Sequence, residues 1–299
     1  MDMPDHLTTS PTKPNLASWL MLLGLSLIWG GSYLLIKYSL VAFSPTQVAS
    51  LRMSLTALAF LPIFIWQVRR IDWSLWKQLA IVGFSGSFIP SILFATAQTK
   101  ISSSLAGILS SLTPLFTFLL GILFFGVKAA WVKLAGVFIG LAGAVWLVVI
   151  DRGIDDLEGM RYGLLVLAGC LFYGFSNNVV KAHLHSTPSL VISTVSYLFV
   201  GIPGAIYLAV SGFLEVIQTH EKAWQSLGYI SILAFVGTVI CSVIFFKLIK
   251  NTSALFAASV SYLIPVIALW WGMFDGETVT VWHLAGMATI LTGVYLASR

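Results

Sequence analysis

The sequence predicts an all-α membrane protein of ten transmembrane helices, arranged as two inverted five-helix repeats. Three observations carry that prediction. Of 299 residues, 58% are hydrophobic and only 9% are charged, against roughly 25% charged in soluble domains. The apolar residues fall in blocks long enough to cross a bilayer core as helices of about 20 residues. The second half of the chain also repeats motifs of the first at a nearly constant spacing.

Residues 1–16 (MDMPDHLTTSPTKPNL) are polar and proline-containing and read as a disordered cytoplasmic tail. The apolar block behind them is too long for a signal-peptide core and is not followed by an A-x-A site, so it is expected to stay as the first span. The apolar blocks then give candidate spans at 17–38, 46–66, 76–97, 102–125, 130–150, 161–182, 189–211, 226–249, 252–273 and 281–298. Helix is the expected form because it satisfies its own backbone groups in lipid. The longest polar connections are 151–160 and 212–225.

Orientation follows from the Lys and Arg of the short loops. With a cytoplasmic N-terminus, Lys13, Arg69, Arg70, Lys77, Lys128, Lys133, Lys181, Lys247, Lys250 and Arg299 lie inside, against Lys37, Lys100, Arg152, Arg161 and Lys222 outside. Both termini are therefore expected in the cytoplasm, in a multi-pass protein of the cytoplasmic (inner) membrane. No basic run suggests nucleic acid. Cys170 and Cys241 sit in apolar segments and read as small hydrophobes, not as a disulfide or metal site. His183 and His185, two apart, point to different faces of a helix end.

The repeat divides the chain at 17–150 and 151–299. Residues 100–121 (KISSSLAGILSSLTPLFTFLLG) parallel 250–272 (KNTSALFAASVSYLIPVIALWWG), with Lys100 opposite Lys250, Ser102–Ser103 opposite Thr252–Ser253, and Pro114 opposite Pro265 after a one-residue shift. Gly136 and Gly143 match Gly286 and Gly293, and 27–37 (LIWGGSYLLIK) parallels 171–181 (LFYGFSNNVVK). Five spans per copy is odd, so the second copy enters the membrane upside down, which places a substrate site near the midplane. The link GVKAAWVK of the first copy is basic and its counterpart GETVTVWH is acidic, as opposite orientations require.

With these motifs in order, WGGSYLLIK, SPTQVASLRMSLTALAFLP, ISSSLAGILSSLTPLFTFLLGILFFG and NTSALFAASVSYLIPVIALWWGMFDGE, the chain resembles the EamA family of the drug/metabolite transporter superfamily over nearly all of 17–298. The resemblance implies a central cavity lined by spans 1, 3, 4, 6, 8 and 9, and export of amino acids or related metabolites. The family often carries Gly-Glu after span 4, where this chain has Gly126–Val127.

All eleven Asp and Glu fall in loops or the tail. A buried carboxylate is the natural group for trading a proton against a cationic drug, so that route is disfavoured and a zwitterionic or anionic substrate is favoured. Arg52 lies about six residues into span 2, where an Arg at the helix centre costs roughly 2.5–3.5 kcal/mol. It either snorkels outward, or supports the cavity or pairs there with a substrate carboxylate. Lys37 and Lys181 end their spans and read as interfacial cations. Trp29, Ser32 and Tyr33, with Tyr173, Ser176, Asn177 and Asn178, are mid-span polar and aromatic positions that must find protein partners or line a wet cavity. Ser110 and Ser111 before Pro114, and Ser261 and Tyr262 before Pro265, are further cavity candidates. The two prolines are candidate hinges because each removes a backbone hydrogen bond. The substrate expected is a small amphipathic molecule, with no cofactor, no metal and a monomer sufficient.

An intramembrane serine protease is the alternative, on Gly83-Phe84-Ser85-Gly86 and His283-x-x-Gly286. Ser85 is mid-span and His283 opens span 10, roughly 10 Å apart in depth at 1.5 Å per residue. A nucleophile and its base need hydrogen-bond reach, so the chain is read as a transporter and not as an enzyme.

Overall fold

The structure, a computed structural model, describes residues 15–127, 131–152, 157–251 and 260–298. All of the expected 1–16 tail up to residue 14, Lys128, the Thr252–Ser253 match and the opening of the ninth span at 252–259 lie outside the described residues. Those described are all helical or connecting, and eight helices are long and apolar enough to cross a membrane, with shorter apolar helices at Val260–Phe274 and Val281–Ala297.

In chain order the helices are α1 (Leu16–Ser39), α2 (Pro45–Gln67), α3 (Trp76–Gly83), α4 (Ile89–Ala97), α5 (Ser103–Ser110), α6 (Thr113–Phe124), α7 (Trp131–Arg152), α8 (Leu157–His183), α9 (Ser189–Val210), α10 (Phe213–Thr219), α11 (Ala223–Ala234), α12 (Cys241–Asn251), α13 (Val260–Phe274) and α14 (Val281–Ser298). Local chemistry sets several starts. The Ser44 hydroxyl caps α2 while the Gln47 side chain returns to the Ser44 N–H, and Pro45 follows in the first turn.

Lipid supplies no hydrophobic drive between helices, so close approach at small residues matters instead. Gly136 of α7 lies so near α14 that a Cβ there would stand 2.6 Å from the Gly293 carbonyl oxygen and the Ala297 nitrogen. Gly140 and Gly143 continue that seam toward Leu115 and Ile290. On the other flank α2 packs on α9, where the Ser54 hydroxyl donates to the Gly201 carbonyl at 3.1 Å and the Gln47 amide to the Ser211 carbonyl at 3.1 Å. Between the flanks, Gly30 of α1 admits Ile267 of α13, and Gly174 of α8 lies against the Thr117 backbone of α6.

Two features depart from the sequence reading. The connection 212–225 contains a short helix, α10, whose Phe213, Val216 and Ile217 pack on Phe43, Leu208 and Ala223. The third and eighth spans are not continuous α-helix. A π-helical turn, Phe84–Phe88, joins α3 to α4, and another, Phe235–Ile240, joins α11 to α12.

Candidate functional site

The helices enclose a cavity of about 320 Å³ at the centre of the bundle. Trp29, Ser32, Tyr33 and Ile36 reach it from α1, Arg52 and Met53 from α2, and Tyr197 from α9. The π-turns and the helices after them contribute Gly86, Ser87, Ser91 and Phe94 on one side and Gly237, Thr238, Ser242 and Phe245 on the other. Ser110, Ser111 and Thr113 come from the α5–α6 junction, Tyr173 and Asn177 from α8, and Ser261 and Ile264 from α13.

A π-turn widens the helix by one residue and displaces its carbonyls from the usual ladder. At the Phe235–Ile240 turn those groups are used. The Trp29 indole N–H donates to the Gly237 carbonyl at 2.9 Å, and the Thr238 hydroxyl donates to the Leu233 carbonyl, five residues back, at 3.0 Å. Arg52 Nε donates in turn to Thr238 Oγ1 at 3.1 Å. Arg52 therefore points into the bundle and does not snorkel outward. At the Phe84–Phe88 turn, Gly86 lets Ser176 of α8 come so close that no Cβ would fit.

The cavity brings together Trp29, Ser32, Tyr33, Arg52, Ser110, Ser111, Tyr173, Asn177 and Ser261. Ser176, Asn178 and Tyr262 are corrections, for they do not line it. One face of α8 presents Tyr173 and Asn177, four residues apart, which turns their neighbours away. Ser176 packs on Gly86, and Asn178 fastens α8 to α6 by donating to the Thr117 carbonyl at 2.8 Å and to its own Gly174 carbonyl at 2.9 Å. Tyr262 follows Ser261 on α13 and turns off the cavity with the helix. Pro114 opens α6 just after a break between Ser110 and Thr113, whereas Pro265 sits inside the continuous α13.

The resemblance implies that spans 3 and 8 line the cavity, but none of their lining residues is among the candidates drawn from the sequence. A signal existed at an offset of 151 residues: GFSGSFIPSILF (83–94) against AFVGTVICSVIF (234–245) places Gly86 on Gly237, Ser87 on Thr238, Ser91 on Ser242 and Phe94 on Phe245. All eight line the cavity, and the two π-turns begin at the paired Phe84 and Phe235. The Ser91 hydroxyl is buried and has no hydrogen-bond partner among the described residues.

Beyond one end of the cavity lies an ionic cluster. Gly276, at φ +81°, takes a left-handed turn that glycine adopts without strain, and this points Glu277 at the start of α5. There Oε1 accepts from the Ser103 N–H (3.0 Å) and hydroxyl (2.8 Å), and Oε2 from the Ser104 N–H (3.0 Å) and hydroxyl (2.6 Å). A helix N-terminus offers such free donors and favours negative charge. Lys37, ending α1, pairs with Glu277 at 3.0 Å and with Asp275 at 2.5 Å, and the Tyr38 hydroxyl also donates to Asp275. Lys37 is thus ion-paired and not merely interfacial. Burial raises the Glu277 pKa, but the Ser104, Lys37 and Ser103 hydrogen bonds outweigh it and hold the carboxyl at about 2. At the matching turn of the first half, Gly126 is again left-handed at φ +68°, but Val127 stands in the place of the acid.

The protease pairing finds no support in the geometry. The Ser85 hydroxyl is committed to the Ile81 carbonyl at 2.6 Å, and His283 Nδ1 lies 2.8 Å from the Thr280 hydroxyl.

Comparison with known proteins agrees with this architecture. The chain is 24% identical to the "uncharacterized inner membrane transporter YedA" of Escherichia coli strain K12, over 93% of this chain and 89% of that one. It is 26% identical to a "probable amino-acid metabolite efflux pump" of Salmonella typhimurium, over 90% of each. A crystal structure 18% identical in sequence superposes with a TM-score of 0.61, covering 94% of this chain and 96% of the other, and so shares the fold. The model of the EamA-like transporter family matches residues 16–149 and again 160–299, and the chain belongs to that family of multi-pass membrane transporters.

Proposed function

We propose that the chain exports a small amphipathic metabolite, an amino acid or a related compound, across the cytoplasmic membrane by alternating access. The observation that carries this reading is the central cavity, where Arg52 stands among hydroxyl groups and six aromatic rings drawn from both repeats. A guanidinium is suited to a carboxylate, the rings to an apolar body, and about 320 Å³ lies at the small end of the roughly 300–1,000 Å³ of small-molecule sites. The name of the Salmonella relative, an amino-acid metabolite efflux pump, supports the same class.

In this reading both termini are cytoplasmic and the repeats are inverted, so the Lys37–Asp275–Glu277 cluster closes the outer side. Exchange of conformation between the repeats opens that side and closes the other. The break ahead of Pro114 and Pro265 within α13 are the hinge points. The lining residues contact substrate directly, no cofactor takes part, and one chain suffices.

The test is a proteoliposome panel of labelled amino acids and organic acids, with and without a proton gradient. Saturable uptake of at least one compound is expected, and saturable uptake of none overturns the reading.

A further inference from the structure

Among the described residues, Arg52 has no counter-ion. Asp275 and Glu277 are paired with Lys37. Residues 252–259, outside the described set, contain no acid. Nε of Arg52 is held by Thr238, while its two terminal nitrogens have no hydrogen-bond acceptor among the described residues. The terminal side of the guanidinium fork is therefore vacant, in a site where an unpaired charge is costly.

The hydroxyls around it are arranged differently. Ser32, Ser110, Ser111 and Thr113 donate to the backbone carbonyls of Ile28, Gly107, Ile108 and Ser110, at 2.9, 2.7, 2.6 and 2.8 Å. With the proton so placed, each of these oxygens keeps lone pairs with which it can accept from a ligand. The cavity thus offers one cationic receptor for an anion, beside hydroxyls that can accept from a donor.

An ammonium and an uncharged O–H or N–H could both use those acceptors, and charge separates them. An ammonium within a few ångström of Arg52 adds like-charge repulsion in a low-dielectric site. That repulsion exceeds the advantage of a charged over a neutral hydrogen bond. A carboxylate carrying a neutral donor leaves the cavity without net charge.

Resting on the reading of this cavity as the transport site, we propose that it selects a monoanionic carboxylate whose second polar group is an uncharged hydrogen-bond donor, such as a 2-hydroxy acid or an N-acylated amino acid, on an aromatic or apolar body. The zwitterionic amino acid of the same skeleton binds more weakly, and the amine not at all.

The experiment uses three compounds on one skeleton, 3-phenyllactate, phenylalanine and phenethylamine, with binding to the purified full chain measured calorimetrically at pH 7. Phenyllactate is expected to bind at least tenfold more tightly than phenylalanine, and phenethylamine without saturation. Arg52→Gln should abolish that order, and Arg52→Lys, which keeps the charge, should retain it even if the neutral variant fails to fold. Phenylalanine binding as tightly as phenyllactate, or an order unchanged in Arg52→Gln, overturns the proposal and leaves the transport reading standing. Saturable binding of none of the three also overturns it, and the transport reading is then decided separately by the wider proteoliposome panel.

Discussion

The carboxylate of Glu277 accepts both the backbone N–H and the hydroxyl of Ser104, at 3.0 and 2.6 Å, across 173 positions of sequence. Together with Lys37 the pair ties the α13–α14 turn to the starts and ends of two helices that border the cavity. Removing the charge leaves donors of Ser103, Ser104 and Lys37 short of a partner.

Glu277→Gln is expected to loosen this junction by about 2–3 kcal/mol, the value of hydrogen bonds to a charged group. The checks are a fall in apparent melting temperature in detergent and faster thiol labelling of Ser110→Cys, made with Cys170 and Cys241 replaced by Ser. Unchanged labelling would show that the cluster does not close a route to the cavity.

The pH dependence has a definite sign. The Glu277 pKa is lowered from 4.5 to about 2, so the folded state favours its ionised form. Its contribution is complete above about pH 5 and is lost as pH falls from 4.5 through about 2. A melting profile should be flat in this respect near neutrality, decline in that acid window, and lose that part of the decline in Glu277→Gln.

Thr238→Val removes the acceptor that holds Arg52 Nε while nearly preserving volume. It should weaken substrate affinity roughly fivefold, the equivalent of about 1 kcal/mol for one hydrogen bond. Thr238→Ser keeps the acceptor and should restore most of the affinity. Apparent KM in proteoliposomes reads both.

Gly136→Leu forces a side chain into the Gly293 and Ala297 backbone of α14. Overpacking of this kind costs about 1–3 kcal/mol or more, and the contact is with backbone that cannot rotate away. Lower melting temperature and folded yield are expected. Gly24→Leu, at a position with open space, should change neither.

The spans were legible because hydropathy blocks and bilayer thickness share one length scale, and the repeat because the small residues at Gly136, Gly143, Gly286 and Gly293 keep one spacing; that these glycines meet each other across α7 and α14 is seen only in the structure. Cavity residues on α1 and α8 were legible as polar side chains in apolar runs. Adjacent asparagines could not be told apart by composition, since both reach Thr117 of α6 but helix rotation leaves only Asn177 on the cavity. The π-turns left no compositional trace, because they are a change in hydrogen-bond pattern. Anchoring the repeat on Lys100 and Lys250, at an offset of 150, also put Ser91 and Ser242 one residue out of register. α10 was hidden by its length and by Glu215, which made an amphipathic surface helix read as a polar loop.

The matched π-turns carry a historical consequence. A π-turn holds one residue more than the α-turn it replaces, and removing it would swing the following segment by about 100°, one residue's step around the helix. Ser91 and Phe94, or Ser242 and Phe245, would then leave the cavity. Two independent insertions at paired phenylalanines require two events with the same outcome, whereas one insertion in a five-helix ancestor, made before its gene doubled, accounts for both. On that account the wall of the cavity is older than the two-repeat protein that encloses it.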